Sequence, residues 1–191
     1  QQMLECLRER KGKIDMTVIA IAGATGAVGQ QMLECLRERN IDADIRLLAS
    51  ARSKGKVIDG LTVEELTPES FKGVDYVLGA CENDVTEKWM PWAQEAGCVV
   101  VDNSSAFRLR DDVPLVIPEI NPEDILQHNG IIANPNCATI IALMALHDID
   151  KLYKIKRIIC STYQAVSGAG VKGISDLERQ IQDEAASPEA F

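Results

Sequence analysis

Short apolar runs alternate with segments of helical spacing along this chain. The run at 17–23 predicts a strand, and the segment up to Asn40 predicts a helix that buries Val28, Met32, Cys35 and Leu36 on one face. Further strands are predicted at Asp44–Ala49, Val74–Ala80, Cys98–Asp102, Leu115–Ile117 and Ile131–Ala133, and helices at Asp84–Ala96 and after a cap at Asn121. Because apolar strands that alternate with helices are typical of parallel sheets covered on both faces, the pattern predicts a Rossmann-like, doubly wound α/β domain.

The last third of the chain begins a second α/β domain. The helix from Cys137 to about Leu146 is apolar nearly all round, which predicts that it is buried. Ile155–Val166 predicts a strand of a second sheet, and Gly173–Glu184 predicts an amphipathic helix. One strand and one helix cannot bury their apolar faces without partners. We therefore expect a first domain at 16–136 and the start of a second, truncated domain at 137–191.

Residues 1–10 recur letter for letter at 30–39. Structural repeats drift in sequence and cover whole supersecondary units, whereas this identity covers one helix and stops, which argues against a repeat protein. We interpret residues 1–15 as a duplicated, artefactual extension, with Met16 as the natural start.

Composition narrows the class of partner. A formal net charge of -9 provides no basic face for nucleic acid or an anionic membrane, so small molecules are the expected ligands. The six cysteines include no C-x-x-C spacing, so we expect neither a metal site nor a disulfide framework. No apolar run approaches the roughly 20 residues of a membrane span and no signal-peptide core is present, which favours a cytoplasmic protein.

The glycine-rich loop between the first strand and helix is a candidate dinucleotide site, since glycines permit a tight turn and the close approach of a pyrophosphate. The expected contacts are Gly23, Thr25, Gly26, Ala27, Val28 and Gly29. NAD-preferring folds place an acid after the second strand, but Ser50, Arg52 and Ser53 stand there. A guanidinium and hydroxyls can hold a 2′-phosphate, so we predict NADP(H) as the cofactor; a solvated basic loop is the alternative.

Cys137 stands where the extended segment ANPN meets the apolar helix. The unpaired N–H groups and the dipole of a helix N-terminus stabilise a thiolate, which attacks carbonyl carbon. The alternative is a cysteine buried as a small hydrophobe. That second interpretation is the one we give to Cys81, Cys98 and Cys160, which lie in or beside apolar runs.

The segments GATGAVG, SARSKGK, DNSSAFR, ANPNCATI and STYQAVSGAG resemble aspartate-β-semialdehyde dehydrogenases in order and spacing, from Met16 to the end. The resemblance implies NADPH-dependent reduction of β-aspartyl phosphate to the semialdehyde and phosphate, a step towards lysine, methionine, threonine and diaminopimelate, in a homodimer or homotetramer. It further implies that 16–136 is the NADP-binding domain and that 137–191 holds the nucleophile helix and the start of a catalytic and dimerisation domain. It also implies the roles of individual residues. Cys137 would form a thioacyl-enzyme, Asn136 and Arg108 would hold the substrate's phosphate and neighbouring oxygens, Gln164 would orient the intermediate, and Ser167 and Gly168 would lie beside the nicotinamide.

Some positions depart from the family pattern. Ala138 replaces a usual hydroxyl residue, and neither His128 nor His147 matches the family's catalytic histidine, which is expected later than Phe191 with a substrate-binding arginine. We therefore expect the isolated chain to be inactive or able only to acylate. Two alternatives stay open. N-acetyl-glutamyl-phosphate reductases share the chemistry but typically have glycine where this chain has Asn136, and a non-catalytic NADP-binding module is the other.

Overall fold

The structure is a computed structural model that describes residues 16–183 and 187–188. The extension predicted at residues 1–15 lies outside the described residues. The chain divides into two compact units, one that ends at His147 and one that begins at Asp148, and each is described by itself. The domain boundary predicted between residues 136 and 137 stays a prediction.

A seven-stranded sheet forms the centre of the first unit. The strands are β1 (Val18–Ala22), β2 (Asp44–Ala49), β3 (Val57–Ile58), β4 (Leu61–Glu65), β5 (Tyr76–Gly79), β6 (Val99–Asp102) and β7 (Ile131–Ala133). Their order is β3-β4-β2-β1-β5-β6-β7, and every pair is parallel except the β3–β4 hairpin. This arrangement confirms the predicted doubly wound α/β fold.

The helices are α1 (Ala27–Glu38), α2 (Asn83–Glu95), α3 (Cys137–Tyr153) and α4 (Gly170–Gln182), and short 3-10 turns form at Ala51–Ser53, Pro68–Phe71, Pro122–Gln127 and Val166–Ala169. In the first unit, α1 and α2 cover opposite faces of the sheet. No helix of the described ranges is long and apolar enough to cross a membrane.

Alternation along β1 divides the core into two layers, because successive side chains of a strand point to opposite faces. Ala20 and Ala22 belong to a cluster that includes Trp89 of α2, and Ile19 and Ile21 belong to a second cluster that includes Leu33 of α1. All four β1 side chains are buried. The residues of β1 are therefore apolar throughout, as a central parallel strand requires.

The buried stripe of α1 differs from the predicted one. Gly29, Leu33 and Leu36 are buried, whereas Val28 is 50% exposed and Cys35 is exposed. The contact begins at Gly29, which packs directly on the backbone of Gly23 and Ala24. A glycine carries no apolar signal, so the hydrophobic pattern placed the stripe too far round the helix.

Several expectations for the second half of the chain were wrong. Residues 155–165 form no regular secondary structure, and Cys160 is exposed rather than in a core. Leu115–Ile117 forms only an isolated bridge, between Leu115 and Ala133, rather than a strand. No residue of α3 is buried, although burial was predicted, whereas α4 confirms the last predicted helix. A strand needs a hydrogen-bonding neighbour and an apolar helix needs a covering surface, and composition alone specifies neither partner.

Candidate active site

The predicted site segments of the first unit meet at one edge of the sheet, where the parallel strands end. Backbone hydrogen bonds join these loops in strand order: Gly23 N donates to Leu48 O (2.9 Å), Ala80 N to Ala22 O (2.8 Å), Asn103 N to Gly79 O (3.1 Å) and Asn134 N to Asp102 O (2.8 Å). Four strand spacings place the ends of β2 and β7 about 19 Å apart. Ligands of open α/β sheets bind in the crevice at this carboxyl edge.

The glycine loop after β1 has the shape that a pyrophosphate needs. Gly23 has φ +90°, and a Cβ there would lie 2.7 Å from the carbonyl oxygen of Ala80. Gly26 caps α1 without a side-chain hydrogen bond, so no side chain competes for the first N–H groups of the helix. Gly26, Ala27 and Val28 are exposed, Thr25 is half-buried and Gly29 is buried. The loop therefore fits an anion at the N-terminus of α1.

The loop after β2, which follows the strand paired with β1, contains an exposed arginine. Ser50 and Arg52 are exposed, whereas Ser53 is buried in the 3-10 turn and its N–H donates to Ser50 O at 2.8 Å. Lys54 pairs with Glu65 at 3.2 Å, but Arg52 forms no ion pair with another described residue. Of the three predicted contacts, Ser50 and Arg52 are thus presented to solvent and Ser53 is not.

A buried carboxylate organises the loop after β6. Asp102 is fully buried, and its carboxylate accepts the N–H of Ser104 at 3.1 Å and also the Ser104 hydroxyl. A Cβ at Gly79 would lie 2.9 Å from Asp102 Oδ1, so the neighbouring strand must carry glycine there. Burial raises the pKa of Asp102, and the two hydrogen bonds from Ser104 and the charge of Arg108 oppose that shift.

Arg108 connects the loop after β6 with the loop that leads to Cys137. Its Nε donates to the carbonyl oxygen of Asn134 at 2.9 Å, and its Nη2 donates to the carbonyl oxygen of Asn103 at 2.8 Å. Nη1 makes no hydrogen bond to another described residue. The half-buried guanidinium therefore holds two backbone segments and retains donors for an anion.

Cys137 is the first residue of α3 and its side chain is exposed. Asn136 precedes it as the cap: its Oδ1 accepts the N–H groups of Ala138 (3.0 Å) and Thr139 (3.3 Å). The position of Cys137 at a helix N-terminus is as predicted. Because the oxygen of the Asn136 carboxamide is occupied by the helix, the amide nitrogen is the atom left to donate to a substrate oxygen.

A second cysteine at this edge has different chemistry. Burial raises the pKa of Cys81, after β5, to about 11, so this thiol stays protonated at neutral pH. Cys98 is buried and donates to the carbonyl oxygen of Val74 at 3.3 Å, which confirms its predicted place in the core. Neither thiol is suited to nucleophilic attack.

The second unit contains the remaining predicted residues. Gln164, Ser167 and Gly168 are exposed. A Cβ at Gly168 would overlap Nε2 of Gln164, so the carboxamide of Gln164 lies directly against Gly168. Within this unit, the structure brings Gln164 and Gly168 together.

Three asparagines at the first unit's edge were missed by sequence reasoning. Asn83 Nδ2 donates to Ser105 Oγ at 2.8 Å, and Ser105 N donates to Asn83 Oδ1 at 3.0 Å. Asn134 Nδ2 donates to Asn103 Oδ1 at 2.6 Å. Each asparagine follows the end of a strand or begins the next helix, and polar side chains at strand ends were the available signal.

Two family models match the chain. One, described as the NAD binding domain of semialdehyde dehydrogenase, matches residues 18–128, and the other, described as the semialdehyde dehydrogenase dimerisation domain, matches residues 143–190. The chain therefore contains an NAD(P)-binding domain. An aspartate-semialdehyde dehydrogenase of Bacillus subtilis is 48% identical over 169 residues, which cover 86% of this chain and 49% of that protein.

Solved structures agree with these matches. Aspartate semialdehyde dehydrogenase II of Vibrio cholerae, complexed with ASA, superposes with a TM-score of 0.80 at 44% identity, over 93% of this chain and 56% of that one. An aspartate semialdehyde dehydrogenase of Candida albicans with NADP superposes with a TM-score of 0.66 at 27% identity, over 86% and 55%. The chain spans about half the length of the curated relatives that it matches.

Proposed function

Because the chain belongs to the semialdehyde dehydrogenase family, we propose that it provides the nucleotide site and the nucleophile of an aspartate-β-semialdehyde dehydrogenase. The reaction is the NADPH-dependent reduction of β-aspartyl phosphate to aspartate semialdehyde and phosphate. The observation that carries the proposal is the exposed thiol of Cys137 on the first residue of α3, beside the loop that Arg108 holds.

The first chemical step is acyl transfer to sulfur. The Cys137 thiolate attacks the acyl carbon of β-aspartyl phosphate, a carbon–sulfur bond forms, and phosphate leaves with the electrons of the carbon–oxygen bond. Arg108 holds the leaving phosphate with the donors that its two backbone contacts do not use. Asn136 donates from Nδ2 to the oxygen that becomes negative in the tetrahedral intermediate.

The second step reduces the thioester. A bound NADPH supplies the hydride for the carbonyl carbon, and Cys137 leaves as a thiolate when the semialdehyde forms. Gln164 orients the acyl group, and Ser167 and Gly168 line the nicotinamide side. The close packing of Gln164 on Gly168 supports this proposal, because a side chain at position 168 would displace the carboxamide.

NADP is the proposed cofactor rather than NAD. The glycine loop binds the pyrophosphate through Gly23, Thr25, Gly26, Ala27, Val28 and Gly29, and Ser50 and Arg52 bind the 2′-phosphate. The absence of an acid in SARSK and the exposure of Arg52 support the preference. We assign no contact to Ser53 at this site, since its side chain is buried.

The biological setting follows from the same family. The proposed enzyme acts in the biosynthesis of lysine, methionine, threonine and diaminopimelate, in the cytoplasm, as a homodimer or homotetramer. The match to a dimerisation domain at residues 143–190 supports self-association.

The acyl-transfer step gives the most direct test. The chain is incubated with β-aspartyl phosphate, phosphate release is measured, and mass spectrometry locates the aspartyl group. We expect one thioester, at Cys137, and none in Cys137→Ser. Cys35→Ser changes another exposed thiol, in α1, and should acylate as the parent does.

Other outcomes would contradict the proposal. Undiminished phosphate release by Cys137→Ser would exclude Cys137 as the nucleophile. Faster acylation by N-acetyl-glutamyl phosphate would favour the related reductase, and NADP binding without any acylation would favour a non-catalytic module.

A further inference from the structure

We propose that the side-chain pair of Asn103 and Asn134 sets the position of Cys137, so that both asparagines are positioning residues of the active site. The inference rests on the proposed role of Cys137 as the nucleophile. Asn134 Nδ2 donates to Asn103 Oδ1 at 2.6 Å, across the loops that follow β6 and β7. The two residues are 31 positions apart in the sequence, and each stands directly after its strand.

Asn134 is held at three separate atoms. Its backbone N–H donates to Asp102 O at 2.8 Å, its carbonyl oxygen accepts Arg108 Nε at 2.9 Å, and its side chain donates to Asn103. Asn103 is anchored in turn, because its N–H donates to Gly79 O at 3.1 Å and its carbonyl oxygen accepts Arg108 Nη2 at 2.8 Å. Arg108 and the asparagine pair thus join the same two loops by independent hydrogen bonds.

The connection from Asn134 to Cys137 has little freedom. Pro135 is buried, and its ring fixes φ near -65°. Asn136 is fixed by the two hydrogen bonds that its Oδ1 accepts from the first turn of α3. A displacement of Asn134 therefore moves Cys137 rather than being absorbed by the intervening residues.

The pair also sets the distance between two proposed substrate contacts. Arg108 is the proposed phosphate ligand and Cys137 the proposed nucleophile. Arg108 donates a hydrogen bond to the carbonyl oxygen of Asn134, and Cys137 follows Asn134 by three residues in the chain. A misplacement of about 1 Å between reacting groups can lower a rate about a hundredfold. A hydrogen bond that fixes this spacing therefore matters more for reactivity than for stability.

Two variants of the full chain that add the same charge separate the effect of the Asn134–Asn103 hydrogen bond from the effect of the added charge. Asn103→Asp keeps the acceptor for Asn134 Nδ2, whereas Asn134→Asp replaces that donor with an acceptor opposite Asn103 Oδ1. Both add one negative charge at the same place, close to Arg108. The readout is the rate of N-ethylmaleimide labelling at each cysteine, measured by peptide mass spectrometry, which needs neither substrate nor turnover.

We expect Asn134→Asp to lower the labelling rate of Cys137 about fivefold relative to exposed Cys35 in the same sample, and Asn103→Asp to change that ratio less than about twofold. Acid should partly rescue the Asn134→Asp defect, because a protonated carboxyl can donate to Asn103 Oδ1. The labelling ratio, compared with that of the parent chain at the same pH, should rise as pH falls towards about 3.9, the ordinary pKa of aspartate. General loosening of the fold would not respond to pH in this way.

Buried Cys98 reports whether each variant is folded, since its labelling in a folded chain stays slow. If Asn134→Asp exposes Cys98, Asn103→Ala tests the same hydrogen bond from the acceptor side and must lower Cys137 labelling to a similar extent. Equal effects of the two aspartate variants, or a defect that does not become smaller in acid, would overturn the proposal. Because the readout is thiol chemistry, a failure of the proposed dehydrogenase activity would be seen separately, in the acylation experiment.

Discussion

The buried carboxylate of Asp102 accepts hydrogen bonds from both the backbone N–H and the hydroxyl of Ser104. Desolvation nevertheless raises the pKa of Asp102 above its usual value of 3.8. The folded protein therefore binds this proton more tightly than the unfolded chain does. Over the interval from 3.8 to the raised value, the contribution of Asp102 to the free energy of unfolding falls as pH rises.

Asp102→Asn should remove this pH dependence. The variant keeps an oxygen acceptor for Ser104 and buries no charge. The free energy of unfolding of the variant minus that of the parent should therefore increase as pH rises. This difference should become constant above the raised pKa of Asp102. Urea unfolding between about pH 3 and 7 measures the difference.

Asp112→Asn is a control for which the pH dependence of stability should have the opposite sign. The hydrogen bond from Arg110 lowers the pKa of Asp112, so the ionised carboxylate stabilises the fold above its unfolded pKa and that contribution is lost in acid. The free energy of unfolding of Asp112→Asn minus that of the parent should therefore become more negative as pH rises. The change should be small because the Arg110–Asp112 ion pair is exposed. Slopes of the same sign in both variants would contradict the assignment.

Asn136 combines a helix cap with a proposed substrate contact, and two variants separate these roles. Asn136→Ala removes the cap on Ala138 and Thr139 and should lower the free energy of unfolding by about 1 kcal/mol. Asn136→Asp retains a capping oxygen, so its stability should stay close to that of the parent, but it lacks the Nδ2 donor and should acylate more slowly. Thermal unfolding and phosphate release measure the two effects. Full acylation by Asn136→Asp would exclude the proposed contact to substrate.

Position 23 requires glycine for two reasons, the positive φ of its backbone and the lack of space for a Cβ. Gly23 and Gly97 both have positive φ, +90° and +77°, but only Gly23 has a backbone atom within 3 Å of the Cβ position, whereas Gly97 has open space. Gly97→Ala should cost roughly 1 kcal/mol from conformational strain alone. Gly23→Ala should cost clearly more and weaken dinucleotide binding, because the loop must move away from Ala80. Chemical unfolding of the two variants provides the comparison, and equal losses of stability would show that crowding at Gly23 has no effect.

The sequence predicted those elements whose signal is local. β2 and β7 begin and end where the sequence pattern places them, because both end in a buried apolar run of three residues. The β3–β4 hairpin was missed because β3 has only two residues, although Asp59 and Gly60 carried a signal. Both have positive φ, as an Asp-Gly hairpin turn requires.

The parts of the site that the sequence did not predict depend on strand order. Cys137 could be placed on a helix N-terminus from its immediate neighbours. The pairing of Asn103 with Asn134 could not be predicted, because it follows from β6 lying next to β7 and from the rotamers of both side chains. The burial of Ser53 is likewise a packing result that its polar sequence context hides.

Cofactor preference should depend on Arg52 rather than on the basic character of its loop. Arg52 is exposed and forms no ion pair with another described residue, whereas the neighbouring Lys54 pairs with Glu65 at 3.2 Å. A guanidinium that binds the 2′-phosphate interacts only with NADPH, since NADH has a hydroxyl at that position. Arg52→Gln should therefore weaken NADPH binding about tenfold and change NADH binding by less than about twofold.

Lys54→Gln is the matched control for this titration, because it removes the same charge from the same loop and its ammonium is already paired. We expect its effect on NADPH binding to be well below that of Arg52→Gln in isothermal titrations of the full chain. Equal losses from the two variants would indicate a general electrostatic effect of the loop, which salt would screen. A parent chain that binds NADH more tightly than NADPH would refute the preference itself, and the serine and arginine after β2 would then be a solvated turn.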